Sequence, residues 1–194
     1  SALADLDVAI NRGADTLESE TYPAGYGDTQ KISRRITTDE RKLWESVVYS
    51  VTAKYNKVPD VSSTAKYTAV SVPSDSILPA VTTDSATAVN TKALPVTVKI
   101  RDQYKPDAGY NPDTMGQWKV RLLRQGTYGV LTPLSDYMDA TDGVATFNVD
   151  LTNVDGASLR ILAEATLVSP LSGYTRVVQS RSPAYLQLLR GNSI

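Results

Sequence analysis

The feature that most limits how this chain can fold is an alternation of apolar and polar residues with period two, strongest in the second half. Val96, Val98 and Ile100 alternate with Thr97, Lys99 and Arg101. Trp118, Val120 and Leu122 alternate with Lys119 and Arg121, and Ala145, Phe147, Val149 and Leu151 with Thr146, Asn148 and Asp150. Leu159, Ile161, Ala163, Ala165 and Leu167 form a further unbroken series against Arg160, Glu164 and Thr166. Successive side chains of a strand point to opposite faces, so each run puts one face on a core and the other in water. Turn-forming residues separate the runs, among them Asp107-Ala108-Gly109, Asn111-Pro112-Asp113, Gln125-Gly126, Thr141-Asp142-Gly143 and Val154-Asp155-Gly156. The pattern predicts a mainly β protein: an antiparallel sheet or β-sandwich with an N-terminal hairpin and few or short helices.

The first half is less regular. Asp7 to Ile10, followed by Asn11-Arg12-Gly13, reads as a strand entering a turn, with Thr16 to Tyr22 as its return strand. Pro23 to Asp28 breaks the chain, and Lys31 to Thr37 and Val47 to Tyr55 are further strand candidates. Val47, Tyr49, Val51, Ala53 and Tyr55 share one face of the latter. Thr38 to Trp44 carries a helix N-cap signal, and the β-branched run after it favours a short helical turn leading into a strand. Residues 58–92 are rich in Ser, Thr, Ala and Pro, and Lys66 to Val72 is one strand candidate within them. Three regions follow: an N-terminal hairpin with strands over 1–57, a long loop or arm over 58–92, and a β-rich region over 93–194.

Composition then restricts the chemistry. The 194 residues include no His and no Cys. His–Ser and Cys–His nucleophilic catalysis, the usual zinc, haem and iron–sulfur ligand sets, and disulfides all drop out together. Carboxylate chemistry is what remains, with Glu18 and Glu20, or Asp39 with Glu45, as pairs and Glu164 as a single acid inside an apolar strand. None differs in sequence from a surface acid, and the expectation is a non-enzymatic protein without cofactor, metal or small-molecule substrate. Lys and Arg total 20 and Asp and Glu 21, for a net charge of −1, which opposes a dedicated nucleic-acid domain but allows a local basic strip. No apolar run is long enough to cross a bilayer as a helix, so no membrane partner is expected.

Candidate binding residues are few. Lys31, Arg34 and Arg35 form the densest basic cluster, and Lys54 from a neighbouring strand would extend it as a phosphate-contacting face. On a strand, Arg34 opposes Lys31 and Arg35; the alternative is a solvated face balanced by Asp28, Asp39 and Glu40. Asp102, Asp107, Asn111 and Asp113, like Asp136, Asp139 and Asp142, offer oxygens to a cation, yet Asp and Asn also belong in turns. Tyr is abundant, 11 against a single Phe, and Tyr22, Tyr26, Tyr49, Tyr55 and Tyr67 suit a half-buried sheet face or a subunit contact.

Two resemblances draw on these residues. The stretch Pro95 to Tyr104, then Asp142-Gly143-Val144-Ala145-Thr146-Phe147 and Ile161 to Ala165, resembles a bacterial or phage immunoglobulin-like module, with Lys105 where such modules usually have Gly. It implies a sandwich over about the last hundred residues, used for decoration or cell-surface adhesion. At the other end, Asp7 to Ala14 and Tyr22-Pro23-Ala24-Gly25 resemble the opening hairpin of small single-stranded RNA bacteriophage coat proteins. Lys31 to Thr37 and Tyr49 to Pro59 are similar to the central strands of that family. That resemblance implies a self-assembling capsid subunit located in the virion, with identical subunits and packaged RNA as partners. It also implies a last strand over Ala145 to Leu151 and helices over Leu159 to Leu167 and Pro183 to Leu189, where alternation reads the first of those helices as a strand. The expected function is therefore a virion structural protein, with an immunoglobulin-like binding module as the alternative.

Overall fold

The structure is a computed structural model and describes residues 4–23, 43–89 and 93–189. Of these, 59% lie in strands and 4% in helix, so the protein is mainly β as the alternation requires. The chain divides into two compact units, Ser1–Ser71 and Val72–Ile194.

The N-terminal unit is one antiparallel sheet. β1 (Leu6–Arg12), β2 (Asp15–Tyr22), β3 (Ser46–Tyr55) and β4 (Val58–Val70) lie in the order β2-β1-β3-β4. The β1–β2 hairpin stands where the sequence places it, with Gly13 in the turn at φ 57, a conformation that glycine adopts without strain. Register divides the sheet into two chemically different faces. Leu6, Val8 and Ile10 stand opposite Tyr55, Ala53 and Val51, and Tyr49 stands opposite Tyr67. The other face carries Asp7, Asn11, Thr52, Lys54, Thr64 and Lys66. Val8, Ile10, Tyr22 and Tyr49 are buried, whereas Val51, Tyr55 and Tyr67 on the same apolar face are exposed.

The C-terminal unit is a sandwich of two sheets. β5 (Ile77–Thr83), β7 (Leu94–Asp102) and β11 (Val144–Val149) form a three-stranded antiparallel sheet in the order β11-β7-β5. The second sheet runs β10 (Met138–Asp139), β8 (Gln117–Gln125), β12 (Ser158–Val168), β14 (Ala184–Leu189), β6 (Thr87–Val89). β9 (Leu131–Pro133) adds to β8 and β13 (Val177–Gln179) to β12, and β14 with β6 is a parallel pair in an otherwise antiparallel sheet. The inward residues are the ones the alternation singles out: Val96, Val98, Val120, Leu122, Ile161, Ala163 and Ala165 are each 0% exposed. Trp118 is buried among them and donates its indole N–H to Met115 O at 2.7 Å, so the ring brings no orphan donor into the core.

Three expectations need correction. Residues 58–92, expected as a long loop or arm, carry β4, β5 and β6. Ser and Thr in this stretch mimic loop composition, yet in β4 they belong to a strand exposed from Ser62 to Thr68 and held by its pairing with β3. The stretches Leu159 to Leu167 and Pro183 to Leu189, helices on the coat-protein resemblance, are the strands β12 and β14. Their inward apolar rows, Leu159, Ile161, Ala163 and Ala165 in β12 and Leu186 and Leu188 in β14, step by two residues and not by a helical three or four. Nor is the Ala145 to Leu151 strand the last: β12, β13 and β14 follow it.

A short helix, α1 (Pro112–Met115), begins where the turn signal stands. Asn111 caps it by accepting the Asp113 N–H at 3.0 Å, and Pro112 occupies the first turn. The Asp142-Gly143 pair forms a two-residue hairpin turn with φ 49 and φ 73, the positive pair that such turns require.

Candidate functional site

The predicted basic strip is placed only in part. Lys31, Arg34 and Arg35 lie outside the described residues, as do the Lys31 to Thr37 strand candidate and Tyr26. Lys54 is exposed on the polar face of β3, directly opposite Asp7, so its nearest cross-strand neighbour is a carboxylate. On the same face Thr21 donates to Asp7 at 2.7 Å and Asn11 to Thr52 at 3.3 Å.

The candidate cation ligands are used locally. Asp102 accepts the Tyr104 N–H at 2.9 Å, Asn111 caps α1, and Asp139 lies 3.9 Å from Lys119 Nζ. Among the described residues no group of three or more Asp or Glu is placed to hold a metal ion. Of the proposed carboxylates, Glu20 accepts from the Tyr22 hydroxyl at 3.0 Å, and Asp39 lies outside the described residues.

Among the described residues Glu164 is the acid that is buried. It is 8% exposed, on the face of β12 turned away from the sandwich core. Arg121 on β8 stands opposite in register and donates Nε at 2.8 Å, with Nη2 at 2.7 Å from the same oxygen. Tyr137 donates its hydroxyl to that oxygen at 2.7 Å, and Gln179 on β13 donates to the second at 3.2 Å. The Arg121 guanidinium also lies over the Tyr137 ring, 4.8 Å from its centre. Burial alone would raise the Glu164 pKa, but the hydrogen bonds from Tyr137, Gln179 and Arg121, with the Arg121 charge, outweigh it and hold the carboxyl below its ordinary value. Burial, and then the bond to Glu164, push the Tyr137 hydroxyl up. A carboxylate satisfied on both oxygens and held ionised is a poor proton donor near neutrality. Glu164 therefore clamps β8, β12, β13 and the Leu134–Tyr137 segment together.

A different kind of site lies at one end of the sandwich, where β8 leaves its sheet and β12 enters. The turn after β8 closes on itself: Gly126 N–H donates to Val130 O at 2.7 Å and Gly129 N–H to Gly126 O at 3.2 Å. At its tip Tyr128 is 100% exposed and adopts φ 61, ψ 20. A non-glycine residue in that region carries a cost of about 1–2 kcal/mol, here with no burial of the ring to offset it. Below the tip is a cleft of about 450 Å³, lined by the turn together with Arg124, Ser158 and Arg160. Arg124 ends the inward row of β8 and donates Nη2 to Asp155 O at 2.5 Å, tying the β11–β12 loop to β8. Gly156, at φ 102, brings that loop against the guanidinium. Arg160 lies over the Tyr185 ring, 5.9 Å from its centre. The sequence marks Gln125-Gly126 only as a turn. The Gly-Thr-Tyr-Gly spelling, with a bulky residue between glycines, is the signal in the chain that could have drawn attention to this tip.

No protein-family profile and no curated protein matches the chain. A solved structure of protocadherin gamma B2 extracellular cadherin domains 1–5 is similar at 14% identity and a TM-score of 0.33, over 96% of this chain and 32% of that one. This chain thus spans about a third of that structure's length, and a likeness at this level sets neither family nor partner.

Proposed function

We propose that this protein is a non-enzymatic binding module: an immunoglobulin-like sandwich over the C-terminal unit presents the Gly126–Val130 turn and the cleft beneath it to a ligand. The observation that carries the reading is Tyr128, a large ring held fully exposed in a left-handed conformation on a backbone-closed turn. Strain of this kind persists only where the surrounding structure imposes it, and it concentrates at functional positions. Recognition loops at the end of a rigid sandwich are a common way to build such a site. The test is a ligand array of glycans and surface proteins probed with the full chain and with Tyr128→Gly. Glycine fits φ 61 without strain, so the variant should fold as well as the parent and lose the signal. Retention of every array signal by Tyr128→Gly would reject the site.

Self-assembly as a virion coat subunit is the second reading, and one feature of the N-terminal sheet favours it. Among the described residues β4 pairs only with β3, and its Ser62–Val70 stretch carries a single charge, Lys66, beside the exposed Tyr67. The opposite edge, β2, carries Asp15, Glu18 and Glu20, charges that discourage edge-to-edge pairing. Packaged RNA as a partner would rest on Lys54 with Lys31, Arg34 and Arg35. Size exclusion and negative-stain microscopy decide: closed shells support the coat subunit, and a monodisperse monomer over a range of salt and pH rejects it.

A further inference from the structure

We propose that the cleft under the Gly126–Val130 turn binds an acidic saccharide, a sugar bearing a carboxylate or a sulfate. This rests on the binding-module reading and adds the ligand class. The volume of about 450 Å³ is at the small end of ligand clefts and suits one or two sugar rings. The lining supplies each group that such a ligand needs. Arg124 and Arg160 present guanidinium donors in the planar fork that matches the two oxygens of a carboxylate or sulfate. Arg124 uses one donor on Asp155 O and is thereby fixed, and Arg160 is steadied over Tyr185. Thr127, Ser158 and Gln125 offer hydroxyl and amide partners for ring hydroxyls. Tyr128 at the rim supplies an aromatic face for the apolar side of a sugar ring. A nucleic-acid strand fits less well: it requires a row of cations along its backbone, and this cleft has two, with Asp155 alongside.

The experiment is saturation-transfer NMR and titration of the full chain with a sulfated, uronic-acid-containing disaccharide, with neutral lactose and a uridine oligonucleotide as comparators. The acidic disaccharide should bind, lactose should bind at least about tenfold more weakly, and Arg160→Gln should weaken the acidic sugar by about tenfold, as loss of one charge-assisted contact does. Tyr128→Gly should weaken both sugars together. Arg160 is exposed, and Trp118 fluorescence in a Trp44→Phe background confirms that each variant is folded. Equal binding of lactose, undiminished binding by Arg160→Gln, or no binding of the acidic sugar by folded protein would each overturn the proposal. So would preferential binding of the oligonucleotide through the same residues. If array signals depend on Tyr128 while none is a saccharide, the ligand class alone falls. If no array signal depends on Tyr128, the binding-module reading falls with it.

Discussion

Glu164→Leu removes the acceptor shared by Arg121, Tyr137 and Gln179, and its cost follows from what the donors can do afterwards. Removing one partner of a fully buried ion pair costs about 3–5 kcal/mol, because the other charge is left without compensation. Here the Arg121 side chain is 30% exposed against 11% for Glu164, so the guanidinium regains part of its hydration. Tyr137, 38% exposed, can rehydrate its hydroxyl as well. Discounted for that screening, the expected loss is about 2–3 kcal/mol. For a unit of this size it corresponds to a fall in Tm of about 10 °C. Glu164→Leu combined with Arg121→Met removes both charges, keeps the arginine stem's packing over Tyr137, and should return to within about 1 kcal/mol of the parent. The chain has two Trp, Trp44 in the N-terminal unit and Trp118 in the C-terminal one. Urea unfolding followed by fluorescence in a Trp44→Phe background therefore reports the sandwich alone. The sign of the pH effect adds a check. The folded pKa of Glu164 is lowered, so its contribution is present above the ordinary value of about 4.3 and fades as pH falls through the folded value. The difference between parent and Glu164→Leu should be constant near neutrality and shrink in acid. A loss under about 1 kcal/mol, or a double variant no better than the sum of the single ones, would refute the clamp.

Further outcomes follow from the same physics. Gly143→Ala combines a positive φ of 73 with a Cβ placed 2.5 Å from the Tyr110 ring, so it should cost more than the ~1–2 kcal/mol of the left-handed conformation alone, measured by urea unfolding. Leu122→Ala, at a position with no exposure, should cost about 2–5 kcal/mol in the Trp118 transition. Tyr128→Gly, by contrast, should leave stability within about 1 kcal/mol of the parent, since relief of strain opposes the added freedom of the unfolded chain; a large loss would show that the tyrosine is structural. The raised pKa of Tyr137 makes its contribution full below about 10 and lost as pH rises through the folded value, a loss that Tyr137→Phe should reduce in alkaline melts.

What the chain spells out in one dimension is which residues share a face. Alternation suffices for that, because the period of a strand is fixed by its geometry, and β7, β8, β11 and β12 lie along the runs that show it. Local turn chemistry is equally readable: Asp142-Gly143 acts through its own backbone, and Asn111 through a side-chain bond to the N–H two residues on. Residues 58–92 are opaque because a strand exposed to water can be written in Ser and Thr, and only pairing of β4 with β3 and of β5 with β7 distinguishes it from a loop. The sites depend still more on the tertiary structure. The role of Glu164 exists only because register sets Arg121 opposite it while Tyr137 and Gln179 arrive from positions 27 and 15 residues away. The cleft at Tyr128 likewise needs the end of β8, the start of β12 and the loop between β11 and β12 to converge. Periodicity is a property of neighbouring residues and survives in the sequence, whereas a site is a property of distant residues and exists only once the sheets have chosen their partners.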